Sequence, residues 1–235
     1  DYEPVADKPD RKDYLIWLAI FGLLILTWLP YILSYFPGGV YPDTATCIGQ
    51  ARSGDYNNQQ PLLYTFIFKA CIALAGDLGA VTLFSILQVI FMAGCLSYII
   101  FRLYLHKVSK VMLAIIFTYF ALFNLVPLYV ISLWKDTLYS AAILMYIFLL
   151  AERIILPNVL SDRNSNAVAY AKSTTPGIKA KAISIETTSQ NNPGITDIIT
   201  ILFWMVLTIF LRNNGIYVMF LTFGVLVVSF GPEFI

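Results

Sequence analysis

Long uninterrupted apolar runs constrain the fold of this chain more than any other feature. A helix needs roughly 20 apolar residues to cross the hydrocarbon core of a bilayer. The runs of about that length, or somewhat shorter, are residues 14–36, 80–105, 111–132, 138–156, 198–211 and 216–230. The chain is 59% hydrophobic and 12% charged, whereas soluble domains are about 45–50% apolar and about 25% charged. We therefore predict an all-α, polytopic transmembrane protein with about six spans.

The segment 61–75, with the sequence PLLYTFIFKACIALA, is ambiguous because it is short and carries Lys69 in its middle. Basic residues favour the cytoplasmic side of a membrane. If the amino terminus is cytoplasmic and this segment does not cross, eleven basic residues lie inside and four lie outside. The four are Arg52, Lys69, Lys135 and Arg212. If the segment crossed, Arg102, Lys107 and Lys110 would move outside and the bias would weaken. We predict that segment 61–75 lies in the membrane interface.

This topology divides the chain into six parts. They are a cytoplasmic segment 1–13, a first span 14–36, an external loop 37–79 with juxtamembrane helices, three spans within 80–156, a polar cytoplasmic connector 157–197 and two spans within 198–235. Because the chain lacks an initiator methionine and ends directly behind an apolar run, we expect it to continue beyond residue 235. The cysteines, Cys47, Cys71 and Cys95, lack metal-ligand spacing and are interpreted as packing residues.

The first external loop contains the sequence GGVYPDTATCIGQARSG, in which Asp43 is the only acid. Aspartate is a favoured N-cap, so Asp43 could cap a short helix over 44–53 that ends at Gly54. The alternative is that Asp43 is a general base at the bilayer edge, because partial desolvation makes a carboxylate a better proton acceptor. The two roles are compatible.

Three further motifs would lie on the same external side. DYNNQQPLLY supplies the amides of Gln59 and Gln60 together with Tyr64, and amides at a helix amino end can hold sugar hydroxyls or a phosphate. SLWKDTLYS places Lys135 and Asp136 between two spans. Each motif also has a purely structural alternative. DYNNQQPLLY would then be a polar loop before a helix. In SLWKDTLYS, Asp136 would be an N-cap and Lys135 would extend to lipid headgroups.

FLRNNGIYV places Arg212, Asn213 and Asn214 between the last two spans. The asparagines and Gly215 favour a tight turn, and the arginine side chain can bind a phosphate with two parallel hydrogen bonds. A plain turn with an interfacial arginine remains the alternative. His106 is the single histidine and would face the cytoplasm, which excludes histidine catalysis on the outer face of this chain. No basic patch for nucleic acid is present.

Together these motifs resemble the membrane glycosyltransferases of the GT-C class, such as protein O-mannosyltransferases and lipid A aminoarabinose transferases. The PD, QPLLY and RNNG motifs look closest to bacterial multi-pass relatives of that class. The resemblance implies an active site on the external face of the bacterial cytoplasmic membrane. By the same resemblance Asp43 is the catalytic carboxylate, Asp136 is a supporting acid, and Arg212 or Lys135 contacts a lipid phosphate.

The implied reaction is an inverting transfer of a sugar from a polyprenyl-phosphate donor to a hydroxyl of a glycan, lipid or protein. No cofactor is expected. Gln59 and Gln60 stand where related proteins often carry His or Glu, and Asp43 stands alone where some have two acids, so a divalent metal is left open. A transporter or lipid flippase without catalytic activity is the main alternative, and a structural membrane subunit is another. An Asp43 and an Arg212 that line one cavity would favour the enzyme.

Overall fold

The computed structural model describes residues 9–57, 60–155, 195–212 and 215–230. The regular structure within these ranges is helical, as predicted. The helices are α1 (Arg11–Ser34), α2 (Pro42–Ser53), α3 (Leu62–Leu105), α4 (Lys110–Leu122), α5 (Leu125–Ile131), α6 (Lys135–Leu150), α7 (Ile195–Leu211) and α8 (Gly215–Phe230). A π-helical turn, Ala151–Ile155, continues α6.

Two of the described helices, α1 and α3, are long and apolar enough to cross a membrane. The pair α4 and α5 adds a third span if its two bent halves are counted as one. The helices α6, α7 and α8 have 16, 17 and 16 residues and are shorter than a helix of membrane length. By length and composition, the described helices therefore supply two spans, or three with the bent pair, and not the six predicted from the sequence.

Helix α3 consists of two arms that meet at Gly76, whose backbone angles, φ 67° and ψ 176°, are not helical. A positive φ of this size is accessible to glycine at little cost. The rings of Phe68 and Phe84 stack with their centroids 4.0 Å apart, although the two residues would lie roughly 24 Å apart along a straight helix. The first arm, 62–75, therefore folds back along the second arm. This arm matches the segment that the sequence separates from the second span.

The predicted third span, 111–132, is not one straight helix. Helix α4 ends at Leu122, and α5 begins at Leu125 after a bend of 53°. Pro127 lies in the first turn of α5, where a missing N–H costs nothing. Asn124 at the bend accepts a hydrogen bond from the Tyr31 hydroxyl at 2.9 Å, so α1 holds the bend in place.

Two clusters of buried side chains hold the helices together. The first packs α1 against the second arm of α3 and against α6, around Leu24, Trp28, Ala93 and Tyr146. Within it the Trp28 indole N–H donates to the Phe120 carbonyl at 3.0 Å.

The second cluster packs α2 and the first arm of α3 against the start of α6. Cys47, Cys71 and Cys95 are buried and unbridged, which confirms their interpretation as packing residues. Burial raises the pKa of the Cys47 thiol, so Cys47 is a poor nucleophile.

Several predicted boundaries change. Helix α1 begins at Arg11 and ends at Ser34, before the predicted end of the first span. Helix α7 begins at Ile195, inside the predicted connector 157–197. The rest of that connector lies outside the described residues, as do residues 1–8 of the predicted cytoplasmic segment and residues 231–235.

Candidate functional site

The loop between α1 and α2 is held against the segment that leads into α6. Gly39 forms an isolated parallel bridge with Ser132. The Gly39 N–H donates to the Ile131 carbonyl at 3.2 Å, and the Leu133 N–H donates to the Gly39 carbonyl at 3.0 Å. Gly38 has a φ of 137°, and a Cβ atom there would lie 2.7 Å from Leu133 Cδ1. This close approach fixes the start of α2 beside the start of α6.

The Leu133 carbonyl ties three elements together. It accepts hydrogen bonds from the Thr44 hydroxyl of α2 and, at 2.5 Å, from the Tyr64 hydroxyl of α3. Thr44 and Tyr64 are 0% and 1% exposed. Tyr64, which the sequence suggests as a substrate contact, is therefore a buried residue whose hydroxyl positions the start of α6, and its predicted contact with substrate has no support in this geometry.

Asp43 lies in the first turn of α2 and does not cap it. The N-cap is Tyr41, and Pro42 occupies the first helical position, while Gly54 ends the helix with a φ of 79° as predicted. The Asp43 side chain is 60% exposed. The protein itself therefore does not desolvate this carboxylate, contrary to the desolvation expected from the sequence.

Lys135 joins the first-loop residues into one group. Its Nζ atom lies 3.2 Å from Asp43 Oδ2 and donates a hydrogen bond to Gln60 Oε1 at 2.9 Å. The Lys135 side chain is only 20% exposed. It extends from α6 towards α2 and α3. It does not extend outward to lipid headgroups, which was the structural alternative drawn from the sequence. Pro61, next to Gln60, is the N-cap of the α3 arm.

Asp136 is the next residue along α6 and pairs with Arg212. Trp134 is the N-cap, so Asp136 lies inside the first turn, where a carboxylate is favoured by the helix dipole, and it does not cap the helix. Arg212 Nη1 lies 3.1 Å from Asp136 Oδ1. The guanidinium carbon of Arg212 lies 5.3 Å from the centroid of the Tyr139 ring, a cation–π contact. Tyr139 was not recognised from the sequence, although it follows Asp136 by one helical turn.

The first turn of α6 thus gathers most of the predicted site residues. We call Asp43, Gln60, Lys135, Asp136 and Arg212 the α6 charge cluster. The predicted contacts Gln59, Asn213 and Asn214 lie outside the described residues. Among the residues that the structure describes, no group of three metal-binding side chains is present.

An apolar groove of about 390 Å³ runs between the first arm of α3 and α7. Its walls include Leu62, Leu63, Phe66, Phe203, Leu207 and Phe210. Gln60 precedes the α3 wall by two residues, and Arg212 follows the α7 wall by two residues. One end of the groove therefore lies within two residues of the α6 charge cluster along each chain segment. Neither Asp43 nor Arg212 lines the groove, so the arrangement expected of the enzyme, with both residues in the wall of one cavity, is not found here. The sequence could not show this groove, because its two walls are far apart along the chain.

A second charged group lies beyond the other end of α6 and was not recognised as a unit. We call Arg102, His106, Glu152, Arg153 and Asp197 the Glu152 cluster. Glu152 Oε1 accepts a hydrogen bond from Arg102 Nε at 2.7 Å and lies 2.7 Å from His106 Nε2. Arg153 contacts Glu152 and Asp197. Burial raises the pKa of Glu152, but these hydrogen bonds and positive charges outweigh it and lower the pKa overall.

Over the residues that the structure describes, the fold is helical, with apolar helices of membrane length and a cluster of paired charges near each end of α6. The chain belongs to a family described as a family of unknown function (DUF6020), whose model matches residues 26–230. No curated protein and no solved structure matches it.

Proposed function

We propose that this protein is a membrane glycosyltransferase. It moves a sugar from a polyprenyl-phosphate donor to an acceptor hydroxyl, with the α6 charge cluster as its active site. The observation that carries the proposal is the junction between this cluster and the apolar groove. A lipid-linked sugar phosphate needs an apolar surface for its tail and cations nearby for its phosphate. Phe210 in the wall of the groove precedes Arg212 by two residues, and Gln60, which accepts from Lys135, precedes Leu62 in the other wall by two residues.

The proposed membrane topology uses six spans: α1, the second arm of α3, the bent pair α4–α5, α6, α7 and α8. Helix α6 separates the two charged clusters by roughly 24 Å, from its 16 residues at 1.5 Å each. This is close to the thickness of the hydrocarbon core, about 30 Å. The Glu152 cluster would face the cytoplasm, in keeping with the bias of basic residues, and the α6 charge cluster would face outward.

The first arm of α3 suits a juxtamembrane helix in this topology. It is roughly 21 Å long, shorter than α6 and α8, and it carries Lys69 in its middle. It also folds back along α3 instead of continuing it. The resulting order of elements is that expected of a GT-C enzyme of the bacterial cytoplasmic membrane, with its active site on the external face.

Both cations of the cluster can exchange ligands. Lys135 is shared between Asp43 and the neutral Gln60, and the Arg212 side chain is 40% exposed. A phosphate accepts charge-assisted hydrogen bonds from either group. Binding of the donor phosphate to Lys135 would release Asp43 from its ion pair, and the free carboxylate could then take a proton.

The proposed reaction is one displacement. Asp43 accepts the proton of the acceptor hydroxyl as the oxygen of that hydroxyl forms a bond to the anomeric carbon. The bond between the anomeric carbon and the phosphate oxygen breaks, and its electron pair leaves with the polyprenyl phosphate. Arg212 and Lys135 stabilise the negative charge that grows on this phosphate. Attack opposite to the leaving group inverts the anomeric centre.

The test compares Asp43→Asn with Asp77→Asn in proteoliposomes. The donors are polyprenyl-phosphate mannose, glucose or galactose, and a cell-envelope extract that contains glycans supplies the acceptor. The two aspartates are matched, because their side chains are 60% and 59% exposed and each pairs with a cation, Lys135 or Arg52. We expect sugar release from the carrier to fall by about 10²- to 10⁴-fold in Asp43→Asn and to stay unchanged in Asp77→Asn. Equal rates in both variants would refute the assignment of the base. Movement of intact donor across the bilayer without cleavage would favour a flippase instead.

A further inference from the structure

A second cavity, of about 310 Å³, lies beside the start of α6 and is distinct from the apolar groove. Four aromatic residues line it: Tyr35, Tyr41, Tyr129 and Trp134. Gly39 and Ser132, the residues of the isolated bridge, also line it. We call this cavity the aromatic pocket. Its volume is at the lower end of the range for ligand pockets, about 300–1,000 Å³.

The rings of the pocket are arranged around Trp134 without covering it. The Tyr41 ring is tilted by 53° to Trp134 with centroids 4.8 Å apart, and the Tyr129 ring meets it edge-on at 5.3 Å. Tyr41 and Tyr129 remain 38% and 45% exposed. The exposed parts of the Tyr41 and Tyr129 rings are available to a ligand.

Polar groups lie at the edge of the same pocket. The hydroxyls of Tyr41 and Ser132 are 3.4 Å apart, and the Ser132 hydroxyl donates to the Leu128 carbonyl at 2.6 Å. Each hydroxyl oxygen retains acceptor capacity. The aromatic pocket therefore combines aromatic rings and hydroxyls with the aliphatic side chains of Leu125, Leu128 and Ile131, whereas the walls of the apolar groove are only Leu, Val and Phe. The two cavities are suited to different ligands.

A sugar ring matches the aromatic pocket and a lipid tail matches the groove. The C–H groups on one face of a pyranose are weakly positive and pack on the negative face of an aromatic ring. The hydroxyls around the edge of the sugar find partners in hydroxyl side chains. A hydrocarbon tail has no donor for the acceptor positions that remain on the Tyr41 and Ser132 hydroxyl oxygens.

The position of the pocket indicates which sugar it would hold. Tyr41 precedes Asp43 by two residues, and Trp134 is adjacent to Lys135. The same lysine donates to Gln60, which precedes the α3 wall of the groove by two residues. Asp43 and Lys135 are thus neighbours, along the chain, of residues that line the aromatic pocket, and Lys135 also contacts Gln60, which precedes a wall of the groove. We propose that the aromatic pocket binds a sugar ring of the acceptor and presents a hydroxyl of that sugar to Asp43. This inference rests on the proposed function. It makes the acceptor a carbohydrate-bearing molecule.

The first experiment measures binding alone. Saturation-transfer NMR on the protein in nanodiscs would use the methyl glycosides of glucose, galactose, mannose and N-acetylglucosamine. We expect at least one glycoside to bind and Trp134→Ala and Tyr129→Ala each to weaken it by about five- to tenfold, the loss expected for one aromatic face. Tyr217→Ala removes an exposed tyrosine on α8 and is the matched control, which should bind like the wild type. Tyr129→Ala leaves the N-cap of α6 in place if Trp134→Ala disturbs the fold.

The outcomes separate this proposal from the proposed function. Absence of binding by every glycoside, or equal binding in Tyr129→Ala and Tyr217→Ala, would overturn the aromatic pocket as a sugar site. Glycoside binding that is lost in Tyr129→Ala, in a protein that never cleaves a carrier-linked sugar, would keep the pocket and reject the transferase. A second measurement adds polyprenyl-phosphate mannose to the Asp43→Asn variant. An unchanged glycoside signal supports an acceptor site, and displacement of the glycoside overturns it.

Discussion

Replacement of Glu152 by glutamine is the sharpest test of how the helices are held together. The Glu152 side chain is 4% exposed, and its Oε1 atom lies 2.7 Å from both Arg102 Nε and His106 Nε2. Glutamine keeps the shape but removes the charge, which leaves Arg102, itself only 13% exposed, without an anionic partner. Breaking one member of a buried ion pair costs about 3–5 kcal/mol. Because glutamine retains an acceptor oxygen, we expect a loss near the lower end, about 3 kcal/mol.

The protein carries its own reporter for this measurement. Cys47, Cys71 and Cys95 are 1%, 1% and 5% exposed, so a fluorogenic thiol reagent in detergent would react only as the protein unfolds. For a chain of this length each kcal/mol lowers the Tm by about 2–4 °C, so Glu152→Gln should melt about 6–12 °C below the wild type. Asp77→Asn, which breaks the exposed pair with Arg52 at 2.9 Å, should cost less than about 1 kcal/mol. Equal melting temperatures for the two variants would refute the role assigned to the Glu152 cluster.

Two further predictions concern stability. The pKa of Glu152 is lowered in the folded protein, so the stability that its charge contributes is present above the ordinary pKa of 4.5 and is lost as the pH falls through the lowered pKa. The difference in Tm between wild type and Glu152→Gln, measured at pH 7 and at successively lower pH, should therefore shrink in acid. A difference in Tm that does not change with pH would contradict this. Gly38→Ala should destabilise the protein by about 1–3 kcal/mol, because φ is 137° and the new Cβ would meet the buried Leu133 at 2.7 Å. Gly22→Ala in α1 is the control. Nothing lies within 4 Å of its new Cβ, so this change should be neutral or stabilising. An equal Tm for both alanine variants would argue against close packing of the first loop on the segment before α6.

The sequence alone predicted the helical class of the fold, because apolar runs of this length leave helices as the stable form of a chain in a bilayer. It also separated the segment 61–75 from the span that follows, since Lys69 and the short length were visible in the residues. The three cysteines were expected to be packing residues because they lack metal-ligand spacing, and they are buried. All of these properties are local, so they depend only on residues that are close together along the chain.

The tertiary structure alone decided how distant segments meet. The fold-back depends on the non-helical backbone conformation of Gly76, and the presence of a glycine in the sequence does not show which conformation it adopts. The two ion pairs of the α6 charge cluster join residues from α2, from α6 and from the end of α7. The same contacts changed the expected roles of particular residues: Tyr64 is buried, and Asp43 and Asp136 lie inside first turns instead of capping them. Charge and residue type are properties of the sequence, but burial and pairing depend on packing between segments that the sequence does not order in space.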